Sequence, residues 1–148
     1  MRNIDIPPVW LFVFLFLLWG TMQINPAPPA FQPNYQRAAL LFVAIGIGLM
    51  IWTVAVMMQA RTTAHPHGAP MALVTQGPFA FSRNPIYLGD MLVLIGASLW
   101  WQAWTSMILV PLFGVLLVRR FIEPEEARLE AAFGEQFVAY KSRVRRWI

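Results

Sequence analysis

Four apolar runs, separated by charged or proline-rich segments, set the pattern of this chain. Val9–Ile24 carries no charge, and Ala38–Gln59 is a longer uninterrupted apolar stretch. Ile86–Trp104 is apolar apart from Asp90, and Thr105–Val118 follows directly, ending at Arg119 and Arg120. A helix needs about 20 predominantly apolar residues to cross the hydrocarbon core of a bilayer. The pattern therefore predicts four membrane spans, over 9–24, 38–59, 86–104 and 105–118. The last two are short, which predicts a tight hairpin with tilted or protein-lined ends. Trp100, Trp101 and Trp104 fall where an interfacial aromatic belt is expected.

The segments outside the spans differ in kind. Residues 25–36 are rich in Pro and polar residues and read as a short turn-forming connector. The loop 61–85 contains Pro66, Gly68, Pro70, Gly77, Pro78 and Pro85, which argues against a continuous helix. From Glu123 the pattern becomes helical again. Pro124 suits a first helical position, and Glu125 and Glu126 favour the positive end of the helix dipole. Leu129, Phe133, Phe137, Tyr140 and Val144 then recur at helical spacing, predicting an amphipathic helix over 123–144 that lies on the membrane surface. The predicted fold class is all-α: one domain over 1–148, a polytopic membrane protein with about four transmembrane helices plus a cytoplasmic amphipathic C-terminal helix.

Composition narrows the function classes. Hydrophobic residues make up 58% of the 148 and charged residues 12%, against about 25% charged in soluble domains. Whole-chain disorder and a basic nucleic-acid-binding domain are excluded, so no nucleic acid partner is expected. The absence of cysteine excludes disulfides, a thiolate nucleophile and any cysteine-held metal. His65 and His67 are separated by Pro66, which prevents a helical pair, so no metal site is expected there. Gly46-Ile47-Gly48 lies inside a span without a third glycine and reads as a helix-packing surface.

Charge placement sets orientation. The net charge is +4. With four spans, Arg61, Arg83, Arg119, Arg120 and the basic tail through Arg146 share one side, while the other holds only Arg37. The bias puts both termini and the 61–85 loop in the cytoplasm, and the expected location is a bacterial inner membrane. One Arg beside Asp5 and the poor cleavage site in Asn25–Ala30 predict that the first apolar run is retained. Lys141, Arg143, Arg145 and Arg146 are expected to meet anionic headgroups of membrane lipids. No feature points to a particular oligomeric state.

Two places can carry chemistry. Leu73–Gly89 is dense in Gly, Pro and aromatic residues, with Arg83 immediately before a span. Irregular backbone near membrane depth is tolerated only where protein buries it or it lines a cavity, so a cavity at the membrane surface is expected. Tyr87 and Asp90 share one face of the following helix at i, i+3. The second place is Arg119–Glu126. Its carboxylates suit a cationic ligand group and its Arg an anionic one; equally, both Arg can reach headgroups while the Glu cap a helix.

The pattern LVTxGPFxFSRNPxYLG, then EE, then FGxxFxxYxxRVRR, resembles the isoprenylcysteine carboxyl methyltransferase family and the related phospholipid methyltransferases. The resemblance covers about Leu73–Arg146 in order and spacing. It implies a small membrane enzyme that uses S-adenosylmethionine and methylates a lipophilic acceptor. The family's HxLV cofactor segment falls on Met71-Ala72-Leu73-Val74, with Met71 in place of His. Gly77 and Phe79 match the Gly and the following aromatic. The RHPxY segment falls on Arg83-Asn84-Pro85-Ile86-Tyr87, with Asn84 in place of His. The resemblance thus implies cofactor contacts at Met71, Leu73, Val74, Gly77, Phe79, Asn84, Pro85, Tyr87 and Glu125. A family Arg thought to contact the acceptor falls on Phe121, leaving Arg120 as the nearest stand-in.

The residue types agree with such a cofactor, which carries a sulfonium, an ammonium, a carboxylate and an adenine. Glu125, Arg83 or Arg120, and Phe79 with Tyr87 supply an acid, a cation and flat walls. The expected catalytic group is Arg83, Arg120 and Glu126, with Asp90 and Glu126 as candidate bases. Two other classes compete: a non-catalytic membrane scaffold or lipid binder, favoured by the missing His at 71 and 84, and a nicotinamide-dependent membrane reductase, which no phosphate-binding Gly-rich turn supports.

Overall fold

Proline opens most of the long helices. It lacks an amide hydrogen, and its fixed φ is already helical, so it fits the first turn where that hydrogen would have no partner. Pro7 begins α1 (Pro7–Ile24), Pro33 begins α2 (Pro33–Gln59) and Pro85 begins α3 (Pro85–Trp100). The computed structural model describes residues 6–24, 33–60 and 72–148. Met71, His65, His67 and most of the 25–36 connector therefore lie outside the described residues; positions 33–36 of that connector are the first turn of α2.

The described residues are helical, with no strand among them. Helices α1 and α2 are long and apolar enough to cross a membrane, and α3 is a shorter apolar helix. The hairpin expected from 86–104 and 105–118 takes a different shape. Helix α3 stops at Trp100, and the chain reverses through Gln102, which has a φ of 53°. A short 3-10 turn over Trp104–Ser106 leads into α4 (Leu109–Leu117). The reversal consumes residues that hydropathy alone assigns to the spans, so both helices are shorter than expected.

The boundary after Val118 is also different. Helix α4 does not end there: a π-helical turn over Val118–Ile122 carries it into α5 (Glu123–Phe133). The Glu123 amide donates to the carbonyl of Val118, five residues back. Pro124, with no amide to donate, breaks the i→i−4 ladder at this point, and a wider turn is one way a helix absorbs such a break. The single helix expected over 123–144 is divided as well. Gly134, with a φ of 51°, separates α5 from α6 (Glu135–Arg143), a backbone conformation that a glycine adopts without a Cβ penalty.

Packing follows from where the apolar side chains meet. Phe14 and Leu18 of α1, Leu94 of α3, Phe113 and Leu117 of α4, and Phe121 form the buried core, with the Phe14 and Phe113 rings 4.9 Å apart. Helix α2 packs on α3 by close backbone approach. A Cβ on Gly46 would lie 2.7 Å from the Gly89 carbonyl oxygen, and one on Gly96 would lie 2.8 Å from that of Ala39. Gly46 thus serves helix packing, as its position in the span suggests, whereas Gly48 has open space beside it. The other side of α2 exposes Leu40, Ile47, Ile51 and Met58, an apolar surface suited to lipid.

Candidate functional site

The 73–85 segment is built around a turn that only its sequence allows. Gly77 has a φ of 62°, and a Cβ there would come within 3.1 Å of Val56 on α2. Pro78 follows and is buried at the start of the 3-10 turn Gly77–Ala80. This turn rests on α2, with the Trp52 and Phe81 rings 6.3 Å apart. Tyr140 of α6 holds it from the other side, its hydroxyl donating to the Phe79 carbonyl at 2.7 Å. Burial raises the Tyr140 pKa to about 12, with Arg83 nearby acting to lower it, so the phenol remains a donor at neutral pH.

Residues 82–84 are held by the end of the chain. The Arg83 amide donates to the carbonyl of Arg145 at 3.0 Å, and Asn84 Nδ2 donates to that of Arg146 at 3.1 Å. The Asn84 amide donates to Ser82 Oγ, and the Leu88 amide returns to the Asn84 carbonyl as α3 begins. Backbone groups that an irregular segment would leave unpaired in a buried place are thus satisfied.

Together these elements enclose a cavity of about 510 Å³, within the roughly 300–1,000 Å³ typical of small-molecule sites. One wall is apolar, formed by Pro7 and Pro8 of α1 and by Met50, Val54 and Met57 of α2. The opposite wall is the α3 entry: Phe79, Arg83, Asn84, Pro85 and Tyr87, with Glu125 reaching in from α5. Tyr87 Oη donates to Glu125 Oε2 at 3.0 Å, and the Tyr87 ring stacks with Phe121 at 6.4 Å. Burial raises the Glu125 pKa above the usual carboxylate range. The Tyr87 hydrogen bond and the Arg128 charge act against that, and the Glu126 charge adds to it.

The structure brings together Phe79, Arg83, Asn84, Pro85, Tyr87 and Glu125 on one cavity. It does not place the other expected residues there. Leu73 and Val74 are half-buried beside the turn, and Gly77 packs on α2. Arg120 lies over the Trp10 ring of α1, 5.5 Å from its centroid. Glu126 points away into an ion-pair cluster: Arg146 Nη2 donates to Oε2 at 2.7 Å and Arg146 Nε to Oε1 at 3.3 Å, while Arg83 Nη1 stands 3.2 Å from Oε1. Asp90 is buried one turn further along α3, outside the cavity lining, and its Oδ2 has no hydrogen-bond partner.

Two contributions escaped the sequence reading. Arg146, expected at lipid headgroups, turns inward to Glu126, with Glu123 3.9 Å from its Nη1. The apolar wall from α2 had a legible signal, because Met50, Val54 and Met57 share one helical face. Nothing in the pattern distinguished that face from the lipid-facing one.

The comparisons with known proteins bear on this cavity. The sequence pattern of the phospholipid methyltransferase family matches residues 35–136, from the first turns of α2 through the cavity to the start of α6. The chain belongs to the phospholipid methyltransferase family. An uncharacterized protein of Haemophilus influenzae is 36% identical over 67 residues, which cover 43% of this chain and all of that protein. No solved structure matches the chain. Family membership implies methyltransferase activity and, with two long apolar helices, association with a membrane. Phospholipid methyltransferases generally use S-adenosylmethionine and have lipid acceptors.

The cavity fits that cofactor chemically. Its donor set is one carboxylate for a cation, one guanidinium for a carboxylate, and apolar or aromatic walls for the rest. Arg83 lines this cavity and supplies its positive charge, while its Nε and Nη1 are closed off from solvent without an aligned acceptor, Nη1 standing 3.2 Å from Glu126 Oε1. Among the described residues no cluster of His, Asp and Glu could hold a metal ion.

Proposed function

We propose that this chain binds S-adenosylmethionine in the cavity between α1, α2, α3 and α5, and transfers its methyl group to a lipophilic acceptor that reaches the site from the bilayer. The observation that carries the reading is the Tyr87–Glu125 hydrogen bond on the same cavity wall as Arg83. In this reading α3 and α4 complete a four-span arrangement, and the cavity opens at the cytoplasmic face.

When bound, the cofactor would supply a methyl carbon activated by its sulfonium for in-line transfer to the acceptor's lone pair, the bonding pair staying with the sulfur. The chain's own residues then have three tasks. Glu125 receives the ammonium or sulfonium charge, held in position by the Tyr87 hydroxyl. Arg83 receives the carboxylate through charge-assisted hydrogen bonds. Phe79, Pro85 and the α2 wall exclude water around the donor. Fixing donor and acceptor in line supplies up to about 7–11 kcal/mol of the barrier. Both Glu126 oxygens are occupied by Arg146, and Asp90 does not line the cavity. The reading therefore uses no dedicated base and favours an acceptor whose lone pair is already available at neutral pH, such as a carboxylate, over an alkyl ammonium, which must first lose a proton.

Calorimetry with S-adenosylhomocysteine on detergent-purified protein tests this. The wild-type chain is expected to bind, and Glu125→Ala to weaken binding by about 30-fold or more, since truncating one partner of a buried charge pair costs about 2–5 kcal/mol, while its circular dichroism stays helical. No heat and no thermal shift at millimolar ligand overturns the methyltransferase reading; normal binding by Glu125→Ala overturns the placement of the cofactor.

A further inference from the structure

The Arg83–Glu126–Arg146 cluster presents two guanidinium groups to one carboxylate, and they do not share it equally. Arg146 holds both oxygens with aligned hydrogen bonds, Nη2 to Oε2 and Nε to Oε1. Arg83 has only an electrostatic contact, from Nη1 to Oε1 at 3.2 Å, without hydrogen-bond alignment, and its Nε has no acceptor either. Side-chain exposure follows the same order: 11% for Arg83 and 10% for Glu126, but 32% for Arg146. The most deeply placed cation is thus the one without an aligned hydrogen bond to the carboxylate beside it, and it is the one of the two that lines the cavity. A two-donor Arg–carboxylate fork is the strongest geometry such a pair adopts, and here Arg146 takes it.

From this we infer that Arg146 is a positioning residue for the ligand carboxylate: by occupying both oxygens of Glu126, it keeps Arg83 available to an anion in the cavity. The inference rests on the cofactor reading above. Without the Arg146 side chain, Glu126 has Arg83 as its neighbouring cation. An unpaired buried carboxylate is costly, so Arg83 swings into a full ion pair with it. The cavity then loses its cation with no residue of its lining changed. The backbone carbonyls of Arg145 and Arg146 still hold residues 82–84 after the substitution, so the frame of the site persists.

The test compares two ligands and a rescue. S-adenosylhomocysteine carries the carboxylate; 5′-methylthioadenosine shares the adenosine and thioether but lacks the amino-acid moiety. Calorimetry on Arg146→Ala is expected to show about tenfold weaker binding of S-adenosylhomocysteine and unchanged binding of 5′-methylthioadenosine. Adding Glu126→Gln to that variant removes the carboxylate that captures Arg83, and binding is expected to return to within about threefold of wild type. A residue that merely supports the fold gives neither the ligand selectivity nor the rescue. Arg146→Gln, which keeps the stem length and loses the charge, carries the same expectations if the alanine variant does not fold. If Arg146→Ala binds S-adenosylhomocysteine as wild type does, if it loses both ligands alike, or if Glu126→Gln fails to restore binding, the inference is overturned while the cofactor reading stands. A wild-type chain that binds neither ligand overturns both.

Discussion

The two ends of the helix bundle differ in the charged groups they bury. At the end where α1 finishes, each buried hydroxyl meets a partner within the protein. Thr21 Oγ1 donates to the Leu18 carbonyl and receives the Ser106 hydroxyl at 2.6 Å, while Ser98 donates to Leu94. At the end where α1 begins, the hydroxyls of Tyr87 and Tyr140 are met as well, but the cavity is lined by a carboxyl and a guanidinium, and Arg83 Nε and Nη1 have no aligned acceptor. A polar group satisfied inside the protein adds to stability, whereas one left waiting costs stability unless a ligand meets it. In the proposed reading, the contrast separates a structural end from a ligand-binding end. It also implies that substitutions at the two ends change different observables.

The largest expected effect tests the structural end. Gly96 lies where α3 presses on α2, and a side chain there meets Val43 Cγ2 at 2.6 Å and the Ala39 carbonyl oxygen at 2.8 Å. The second neighbour is backbone and yields only if the helices separate. Gly96→Val should lower stability by about 1–3 kcal/mol, the usual cost of overpacking a well-packed interface. Thermal unfolding in detergent measures this. The fraction that remains folded should bind S-adenosylhomocysteine with wild-type affinity, because the cavity is built at the other end. A folded variant with weakened binding would break the separation between the ends.

The next effect belongs to the cavity and is read by pH. Burial raises the Glu125 pKa, so the empty site keeps its proton above the usual carboxylate range. A cationic ligand requires the ionised form. Its affinity should therefore rise with pH below that raised pKa, by about tenfold per unit for one proton released, and level off above it. Stability of the ligand-free chain should move the other way: a carboxyl with a raised folded pKa contributes stability at low pH that is lost as pH rises through the folded value. Glu125→Gln should flatten both profiles. Calorimetry and thermal unfolding across pH 4–8 (roughly the window in which a raised carboxyl titrates) check the two slopes, and parallel slopes would contradict the assignment of Glu125 as the cation receptor.

The two ends were not equally legible in the sequence. Arg83, Tyr87 and Glu125 were readable because their chemistry is written in type and order: a proline-rich turn, an arginine, an aromatic and an acid; Asn84 entered only through the family resemblance. What the sequence hid was direction. Glu125 and Glu126 are neighbours of the same type, yet one faces the cavity and the other faces Arg146. That choice is set by the phase of α5, which the π turn at Val118–Ile122 displaces. Periodicity grouped Phe137 and Tyr140 on one apolar face but read that face as lying on the membrane, whereas both side chains are buried within the protein; it also missed the break at Gly134, since hydrophobic spacing runs through it. The third and fourth apolar runs read as longer spans because hydropathy counts the residues of a turn and a helix alike. Arg146 read as one of several terminal cations, and only the tertiary course of the chain end distinguishes it.

The smallest effect sharpens the comparison from the structural side. Ser106→Ala removes the hydroxyl that donates to Thr21, while Thr21 keeps its own bond to the Leu18 carbonyl. The Thr21 oxygen loses one donor but remains a donor itself, so the cost should be near that of one net hydrogen bond, about 0.5–1.5 kcal/mol. Replacing Thr21 by Val in the same chain leaves no orphaned oxygen at that contact, and the pair of substitutions should cost less than the sum of the two singles. Thermal unfolding of the two single variants and the double variant measures the coupling. Affinity for S-adenosylhomocysteine should be the same in all three, because the hydroxyl pair lies at the end of the bundle away from the proposed cofactor cavity. An additive result would mean that the two hydroxyls are satisfied independently, and that this end owes its stability to the Phe14–Phe113 core alone.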